Sequence, residues 1–126
     1  MRQFNQIGKI FGKILAHILG LKKGNAGEAI EITNQILKSE LDFDIYEIIA
    51  VDDDHLIDFL VKEKGFNNDN IEKFADILYT IADETAQDKK EKIYEKCLVM
   101  YEYLDKSGDT FSMTRQMKIE KIKKTL

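Results

Sequence analysis

The stretch VDDDHLID, from Val51 to Asp58, contains the residue types best suited to chemistry in this sequence. Carboxylates and imidazoles are common ligands of divalent metal ions, and Asp54 and Asp58 share one helical face at i, i+4 spacing. However, the stretch lacks the spacing and the glycine of a calcium-binding loop. Acidic residues are also favoured at a helix start by capping and by the helix dipole. We therefore expect this stretch to begin a helix, and the alternative is a metal site in the Asp52–Asp58 cluster, with Asp52, Asp53, Asp54, His55 and Asp58 as donors.

Nucleophilic catalysis has one set of candidates, Cys97 with either His17 or His55. Cys97 falls on an apolar helical stripe, where a thiol is usually a packing group. The sequence has no Glu-x-x-His pairs, phosphate-binding glycine loop or nucleophile elbow. We therefore expect no catalysis and no cofactor. Tyr94 and Tyr101 are expected in the core, and Tyr103 nearer to solvent.

Helices are expected to position all of these residues, because proline is absent and apolar residues recur at helical spacing almost throughout. We predict one all-α domain over residues 1–126, built of antiparallel helical hairpins with about six or seven helices in total. Its parts are a first helical hairpin (1–42), short connecting helices (43–66), a second helical hairpin (67–108) and a C-terminal helix (109–126).

Local signals place the ends of these helices. Asp44, followed three residues later by Glu47, is typical of a helix start, and Asn68 is expected to cap the helix that opens the second hairpin. Asp88 is expected to open the next helix, and Thr110 the last one. The residues expected to end helices are Gly24, Gly65 and Gly108.

The first helix, predicted over residues 3–21, carries a stripe of large apolar residues and no acid. The stripe consists of Phe4, Ile7, Phe11, Ile14, Leu15 and Ile18. A cationic amphipathic helix of this kind fits either a protein core or a membrane surface. Because a turn of about five residues folds the next apolar helix onto it, we expect that helix to bury the stripe. Peripheral membrane association through the first helix is the alternative.

Small residues recur at every fourth position beside this stripe, at Gly8, Gly12, Ala16 and Gly20. An interior glycine costs up to about 1 kcal/mol in helix propensity, and close packing of another helix would offset that cost. We expect these four residues, together with Tyr103, to form an interaction face. A homodimer across this face is one hypothesis.

Charge is segregated along the chain, although the net charge is only −4. Residues 1–27 carry five basic side chains and no acid, residues 28–88 carry 17 acids against 4 bases, and residues 89–126 carry 10 bases against 6 acids. We expect these blocks to attract one another within the fold or between subunits, and the acidic middle to repel nucleic acid. In the last helix we expect an irregular apolar face and a solvated basic face. The apolar residues are Met113, Met117, Ile119 and Ile122, and the basic ones are Arg115, Lys118, Lys121, Lys123 and Lys124.

Two segments resemble tetratricopeptide units. GNAGEAIEITNQIL is similar to the turn and second helix of one unit, and IYEKCLVMYEYL to the second helix of another. The positions that correspond are Ala29, Thr33 and Ile36 in the first pair and Lys90, Tyr94 and Cys97 in the second. The two pairs lie about 61 residues apart, whereas a regular array repeats every 34 or so.

The chain as a whole resembles a family of small all-helical bacterial proteins related to tetratricopeptide domains, a domain of unknown function. The segments that carry this resemblance are MRQ...IGK, LGLKKGN..EA and DDD-x-LI. The resemblance implies a tetratricopeptide-like right-handed array of helical hairpins, and it implies no known activity.

These features favour a non-catalytic protein–protein interaction or scaffold module. The expected partner is a protein, a peptide or a second copy of the chain, and not nucleic acid. A cytoplasmic setting is expected, because the chain has a single cysteine and no uncharged run long enough to span a bilayer.

Overall fold

The computed structural model describes residues 4–20, 26–108 and 111–126. Within these ranges the backbone forms seven α-helices and a π-helical turn, and no strand. In chain order they are α1 (Phe4–Leu19), α2 (Ala26–Leu41), α3 (Ile45–Ala50), α4 (Asp53–Asp58), the π-helical turn (Phe59–Glu63), α5 (Asn68–Asp83), α6 (Gln87–Ser107) and α7 (Met113–Thr125). The predicted all-α fold is confirmed.

Side-chain caps begin α3 and α5. The Asp44 carboxylate accepts a hydrogen bond from the backbone N–H of Glu47 at 2.9 Å, as its spacing predicts. The prediction that Asn68 caps α5 is wrong, because the cap is the preceding residue. The Asn67 side chain accepts from the backbone N–H of Asn70 at 2.8 Å, and the Asn70 side chain accepts from the N–H of Asn67 at 3.1 Å. This reciprocal pair fixes the helix start one residue earlier than predicted.

The starts of α6 and α7 also differ from the prediction. Ala86 precedes α6 with an extended backbone and no side-chain cap, so that Asp88 lies in the first turn of the helix. In α7 the Ser112 hydroxyl accepts a hydrogen bond from the backbone N–H of Arg115 at 3.1 Å. The predicted start at Thr110 lies outside the described residues.

Residues at the ends of helices set the direction of the chain. Gly65 follows the π-helical turn with φ +72°, a conformation that glycine adopts without strain. Gly108 caps α6, and the predicted role of Gly24 lies outside the described residues. Asp42 ends α2 with φ 61°, and the Lys64 ammonium donates to the carbonyl oxygens of Leu41 and Asp42 at 3.1 and 3.3 Å. Lys64 thereby joins the end of α2 to the end of the π-helical turn.

The core is centred on α1 and α5. The α1 stripe is buried at Ile7, Phe11, Ile14 and Ile18. Helix α1 packs against α2, as predicted, and more extensively against α5. Phe11 stacks on Phe74 of α5 with ring centroids 5.5 Å apart and meets the edge of Phe66 at 5.3 Å. The apolar face of the first described helix therefore contributes to the core of its own chain.

Helices α5 and α6 form the second hairpin, and further helices cover it. Helix α6 packs against α5, α3, α4 and α7. The Lys96 ammonium of α6 is nearly buried, and it donates to the Val51 carbonyl at 2.5 Å and to the Asp53 carboxylate at 2.7 Å. This contact ties the junction of α3 and α4 to the hairpin. Among the described helices, none has both the length and the apolar character needed to cross a bilayer.

Candidate functional site

The Asp52–Asp58 cluster lies at the start of α4, where its acids occupy the first turn of the helix. The side chain of Asp53 is committed to the ion pair with Lys96. Asp58 lies 3.8 Å from Lys62 one turn further on, and His55 lies 3.9 Å from Asp52 on the exposed surface. Within the described parts of the chain, no three side chains of His, Cys, Asp or Glu are grouped so as to hold a metal ion.

The candidate nucleophile and the candidate bases are not brought together. Cys97 is completely buried, whereas His17 and His55 are both exposed. The Cys97 thiol lies 3.6 Å from the carbonyl oxygen of Ala75, and burial raises the pKa of this thiol well above its ordinary value. A thiol held in its protonated form is a poor nucleophile. In this conformation Cys97 is a packing group.

The tyrosines occupy the places predicted for them. Tyr94 and Tyr101 are buried, and Tyr103 is half-buried. The Tyr101 hydroxyl donates to the Asp76 carboxylate at 2.6 Å, and the Tyr94 hydroxyl lies 3.4 Å from the Asp83 carboxylate. Burial is the main cause that raises the pKa of both phenols.

The predicted interaction face divides between two helices. Gly12 and Ala16 lie exposed on α1, Gly20 is exposed just after it, and a Cβ added at Gly12 would meet nothing within 4 Å. Gly8 is half-buried, and a Cβ there would lie 3.3 Å from the Lys73 ammonium. Tyr103 is on α6, whereas α1 packs mainly against α2 and α5. The structure therefore gives α1 an exposed row of small residues that Tyr103 does not extend.

Two clefts open beside α2. The cleft between α2 and α3 has a volume of about 530 Å³, and Tyr46 and Lys38 lie on its wall. The cleft between α1 and α2 has a volume of about 300 Å³ and is lined by Ile10 and Ile36 together with polar side chains. Both clefts are open to solvent. Neither contains the buried thiol, the buried phenols or the Asp52–Asp58 cluster.

Among the described residues, the most extensive set of charged contacts lies where α7 packs on the second hairpin. The prediction that the basic residues of α7 are solvated is wrong for Arg115, of which only 6% is exposed. Its guanidinium donates to the Asp105 carboxylate at 2.7 Å and to both oxygens of Glu72 at 3.0 and 3.1 Å. Asp105 also accepts from the Gln116 amide at 2.7 Å. Arg115 therefore joins α7 to both α5 and α6.

Two lysines continue this face of α7. Lys118 donates to Asp76 at 2.9 Å, and Lys121 donates to Asp83 at 2.5 Å. Both ammonium groups also lie over the ring of Tyr79, at 5.4 and 5.6 Å from its centroid. We call Arg115, Lys118 and Lys121 the basic face of α7. We call the surface beneath it the acidic groove, lined by Glu72, Asp76, Tyr79, Asp83, Glu102 and Asp105.

The hydrogen bond from Lys121 lowers the pKa of Asp83. At Asp105 burial acts in the opposite direction, but the hydrogen bonds from Gln116 and Arg115 outweigh it and lower the pKa. The hydrogen bond to Asp83 raises the pKa of Lys121. The charged forms on both sides therefore stabilise one another.

Three large apolar side chains at the start of α7 and just before it are exposed. The four apolar residues predicted to form an irregular face are divided, because Ile119 and Ile122 are buried while Met113 and Met117 are exposed. Met113 is 66% exposed, Met117 is 64% exposed, and Phe111, just before the helix, is 70% exposed. We call Phe111, Met113 and Met117 the outer strip. The i, i+4 spacing of the methionines was visible in the sequence, but their exposure follows from the burial of Arg115, Ile119 and Ile122 elsewhere on the helix.

No protein-family model, curated protein or solved structure matches this chain. The comparisons therefore add no support to the resemblance to tetratricopeptide units.

Proposed function

We propose that the chain is a non-catalytic protein-interaction module that binds a protein or peptide through the outer strip of α7. The observation that carries this proposal is the exposure of Phe111, Met113 and Met117 at 64–70% on one short segment. Large apolar side chains that remain together in water favour association, and methionine adapts to partners of different shape. A cytoplasmic setting is part of the proposal, since the single cysteine is buried as a free thiol.

The packing order of the helices supports a tetratricopeptide-like architecture as part of the same proposal. Helix α1 packs against α2 and α5, and α5 packs against both α2 and α6. In an array of helical hairpins, each unit contacts its neighbour in this way. The short helices α3 and α4 then occupy the space between two units.

Site-specific crosslinking tests the outer strip. Since Cys97 is buried, a cysteine introduced as Met117→Cys would carry a photoactivatable crosslinker selectively. We expect crosslinks to a discrete partner, and we expect excess unmodified protein to suppress them. The matched control is Asp54→Cys on α4, an exposed position remote in sequence from the outer strip. Equal crosslinking from both positions, or none from Met117→Cys, would contradict the proposal.

Self-association through α1 is a second form of the proposal. It is favoured by the open space above Gly12, where no described residue packs closely. The unfavourable helix propensity of this glycine is therefore not offset by packing within the described part of the chain. Sedimentation velocity of the intact chain and of Gly12→Leu tests this form. A dimer at micromolar concentration that Gly12→Leu dissociates is the expected result, whereas a monomer in both cases would exclude it.

A membrane role for α1 receives less support, because the stripe that would enter the bilayer is buried against α2 and α5. A metal role for the Asp52–Asp58 cluster also receives less support, because the Asp53 carboxylate pairs with Lys96 and no three metal-ligating side chains are grouped among the described residues.

A further inference from the structure

Helix α7 has the form of a ligand helix lying in a groove. Arg115, Lys118 and Lys121 recur at three-residue spacing and point to one side, while Ile119 and Ile122 anchor the helix beside them. An amphipathic helix whose apolar and charged anchors share such spacing is a common form of peptide recognition.

The acidic groove has a matching spacing. Along α5, Glu72, Asp76, Tyr79 and Asp83 lie at intervals of three or four residues and so share one face of the helix. Arg115 pairs with Glu72, Lys118 with Asp76 and Lys121 with Asp83, so α7 runs parallel to α5. From α6 the groove receives Asp105 against Arg115, and Glu102 at 3.6 Å from Lys123. The order of the basic residues along α7 therefore matches the order of the acids along the groove.

The contact between α7 and the groove is mostly polar. The side chains of Glu72, Asp76 and Asp105 each remain roughly a third exposed, so water and salt reach these ion pairs. The apolar residues of α7 that are buried in the described structure are Ile119 and Ile122. Elements with few buried apolar contacts open more readily than the core does. Ile119 and Ile122 belong to the same core cluster as the buried residues of the other helices, but they are the only two apolar side chains that the described part of α7 adds to it, so we expect α7 to open more readily than α5 or α6.

We propose that the acidic groove is a receptor for a basic amphipathic helix of a partner protein, with the pattern Arg-x-x-Lys-Ile-x-Lys-Ile, and that α7 occupies it in cis. The pattern is that of residues 115–122, whose fit the structure shows directly. Charge complementarity defines the partner, since the groove presents acids from both α5 and α6. Binding of the partner releases α7. This inference does not depend on the outer strip, whose side chains are exposed to solvent.

Competition with α7 sets the expected affinities. A helix tethered by a short connection has an effective concentration on the order of millimolar, so a free helix of equal intrinsic affinity binds the intact chain weakly. Weakening the basic face of the chain's own α7 leaves the groove unchanged and lowers this competition. The double variant Arg115→Gln with Lys121→Gln does this in the full chain.

The test uses a fluorescent peptide of residues 111–126. We expect it to bind the double variant at least about tenfold more tightly than the wild-type chain. A peptide with Met113→Gln and Met117→Gln should bind equally well, since these side chains face outward. A peptide with Arg115→Gln and Lys121→Gln should bind at least about tenfold more weakly, since it lacks the three ion pairs that these two side chains make with Glu72, Asp105 and Asp83. The matched protein control is Lys124→Gln, an exposed position on α7, which should behave as wild type.

A second measurement covers the case in which the double variant unfolds. In this measurement the wild-type chain is isotope-labelled and the peptide is unlabelled and in excess. The amide chemical shifts of α7 should change as the helix leaves the groove, while those of α1 should stay the same. Unmoved α7 signals at millimolar peptide, or a double variant that binds all three peptides alike, would overturn the proposal. Loss of binding by the Met113→Gln, Met117→Gln peptide alone would assign the affinity to the outer strip and reject the groove.

Discussion

At the scale of single residues, Arg115 holds α7 to the second hairpin through its ion pairs with Glu72 and Asp105. The acids that pair with it lie 43 and 10 residues away in sequence. Helical spacing describes neighbours three and four residues apart, so it contains no information about such partners.

Arg115→Ala should lower the free energy of unfolding by about 2 kcal/mol. The substitution removes charge-assisted hydrogen bonds and leaves Glu72 and Asp105 facing one another without a cation. Urea denaturation followed by circular dichroism measures the change. Lys124→Ala on the same helix should change it by less than about 0.5 kcal/mol, because that side chain is exposed. Equal effects of the two substitutions would show that Arg115 makes no special contribution.

Thr33→Val should have the opposite sign. Thr33 is completely buried in α2, and its hydroxyl has no hydrogen-bond partner among the described residues. Replacing this hydroxyl with a methyl group removes a buried, unsatisfied donor at nearly constant volume, and should raise the free energy of unfolding by about 1 kcal/mol.

Thr80→Val is the matched control for Thr33→Val. The Thr80 hydroxyl donates to the Asp76 carbonyl at 2.8 Å, so its removal should leave the stability unchanged or lower it by about 0.5 kcal/mol. Chemical denaturation of both variants compares the signs. A loss of stability in Thr33→Val would mean that its hydroxyl has a partner in solution.

At the scale of helices, capping signals predicted most boundaries to within a residue or two. The Asp44 cap and the end at Gly65 are confirmed, whereas α5 begins one residue early because Asn67 and Asn70 bond to each other. The orientation of α7 was not predictable from its own sequence. Its apolar residues fall on two sides, and the acidic groove of α5 and α6 decides which side is buried.

Helix α7 should detach at low pH before the remaining helices unfold. Asp83 and Asp105 have a lower pKa in the folded chain than the ordinary value of 3.8. Their ion pairs therefore stabilise the docked helix above that value, and the stabilisation is lost as the pH falls through the lowered pKa. The raised pKa of Lys121 acts at the other end, since its contribution is present below 10.5 and is lost at higher pH.

Amide chemical shifts measured by NMR from about pH 6 to about pH 2.5 follow this detachment. Signals of α7 should change at a higher pH than those of α1. In Asp83→Asn the pH dependence of α7 should be weaker, because one titrating partner is absent. Coincident transitions of α1 and α7 in the wild-type chain would show that α7 is an inseparable part of the core.

At the scale of the whole molecule, the charge blocks and the apolar stripe of α1 both find their partners in distant parts of the chain. The expectation that charge blocks attract one another within the fold is confirmed where α7 meets α5, in a contact between the acidic middle and the basic last block. The stripe of α1 was expected to pack on the next helix, and it packs on α5 as well. Sequence patterns identify a face that must be buried. They do not identify the helix that covers it, because α5 lies about 60 residues further along the chain and reaches α1 only in the assembled fold.

Phe11→Ala tests whether α1 belongs to the core. The Phe11 ring is buried against Phe66 and Phe74, so its loss should lower the free energy of unfolding by about 3–5 kcal/mol. Leu19→Ala, at a 65% exposed position on the same helix, should lower it by less than about 0.5 kcal/mol. Urea denaturation distinguishes the two results. An effect of Phe11→Ala below about 1 kcal/mol would mean that α1 is only loosely docked in solution.

Anionic vesicles provide the complementary measurement, because α1 must leave α2 and α5 before its stripe can enter a bilayer. The free energy that holds Phe11 in the core therefore opposes insertion, and we expect the wild-type chain to stay in the supernatant when the vesicles are sedimented. If the destabilised Phe11→Ala chain sediments more than the wild type, the protein core and the bilayer compete for the apolar stripe of α1. Sedimentation of the wild-type chain at physiological salt would show instead that the bilayer outcompetes the core, and α1 would then have to be regarded as a membrane anchor.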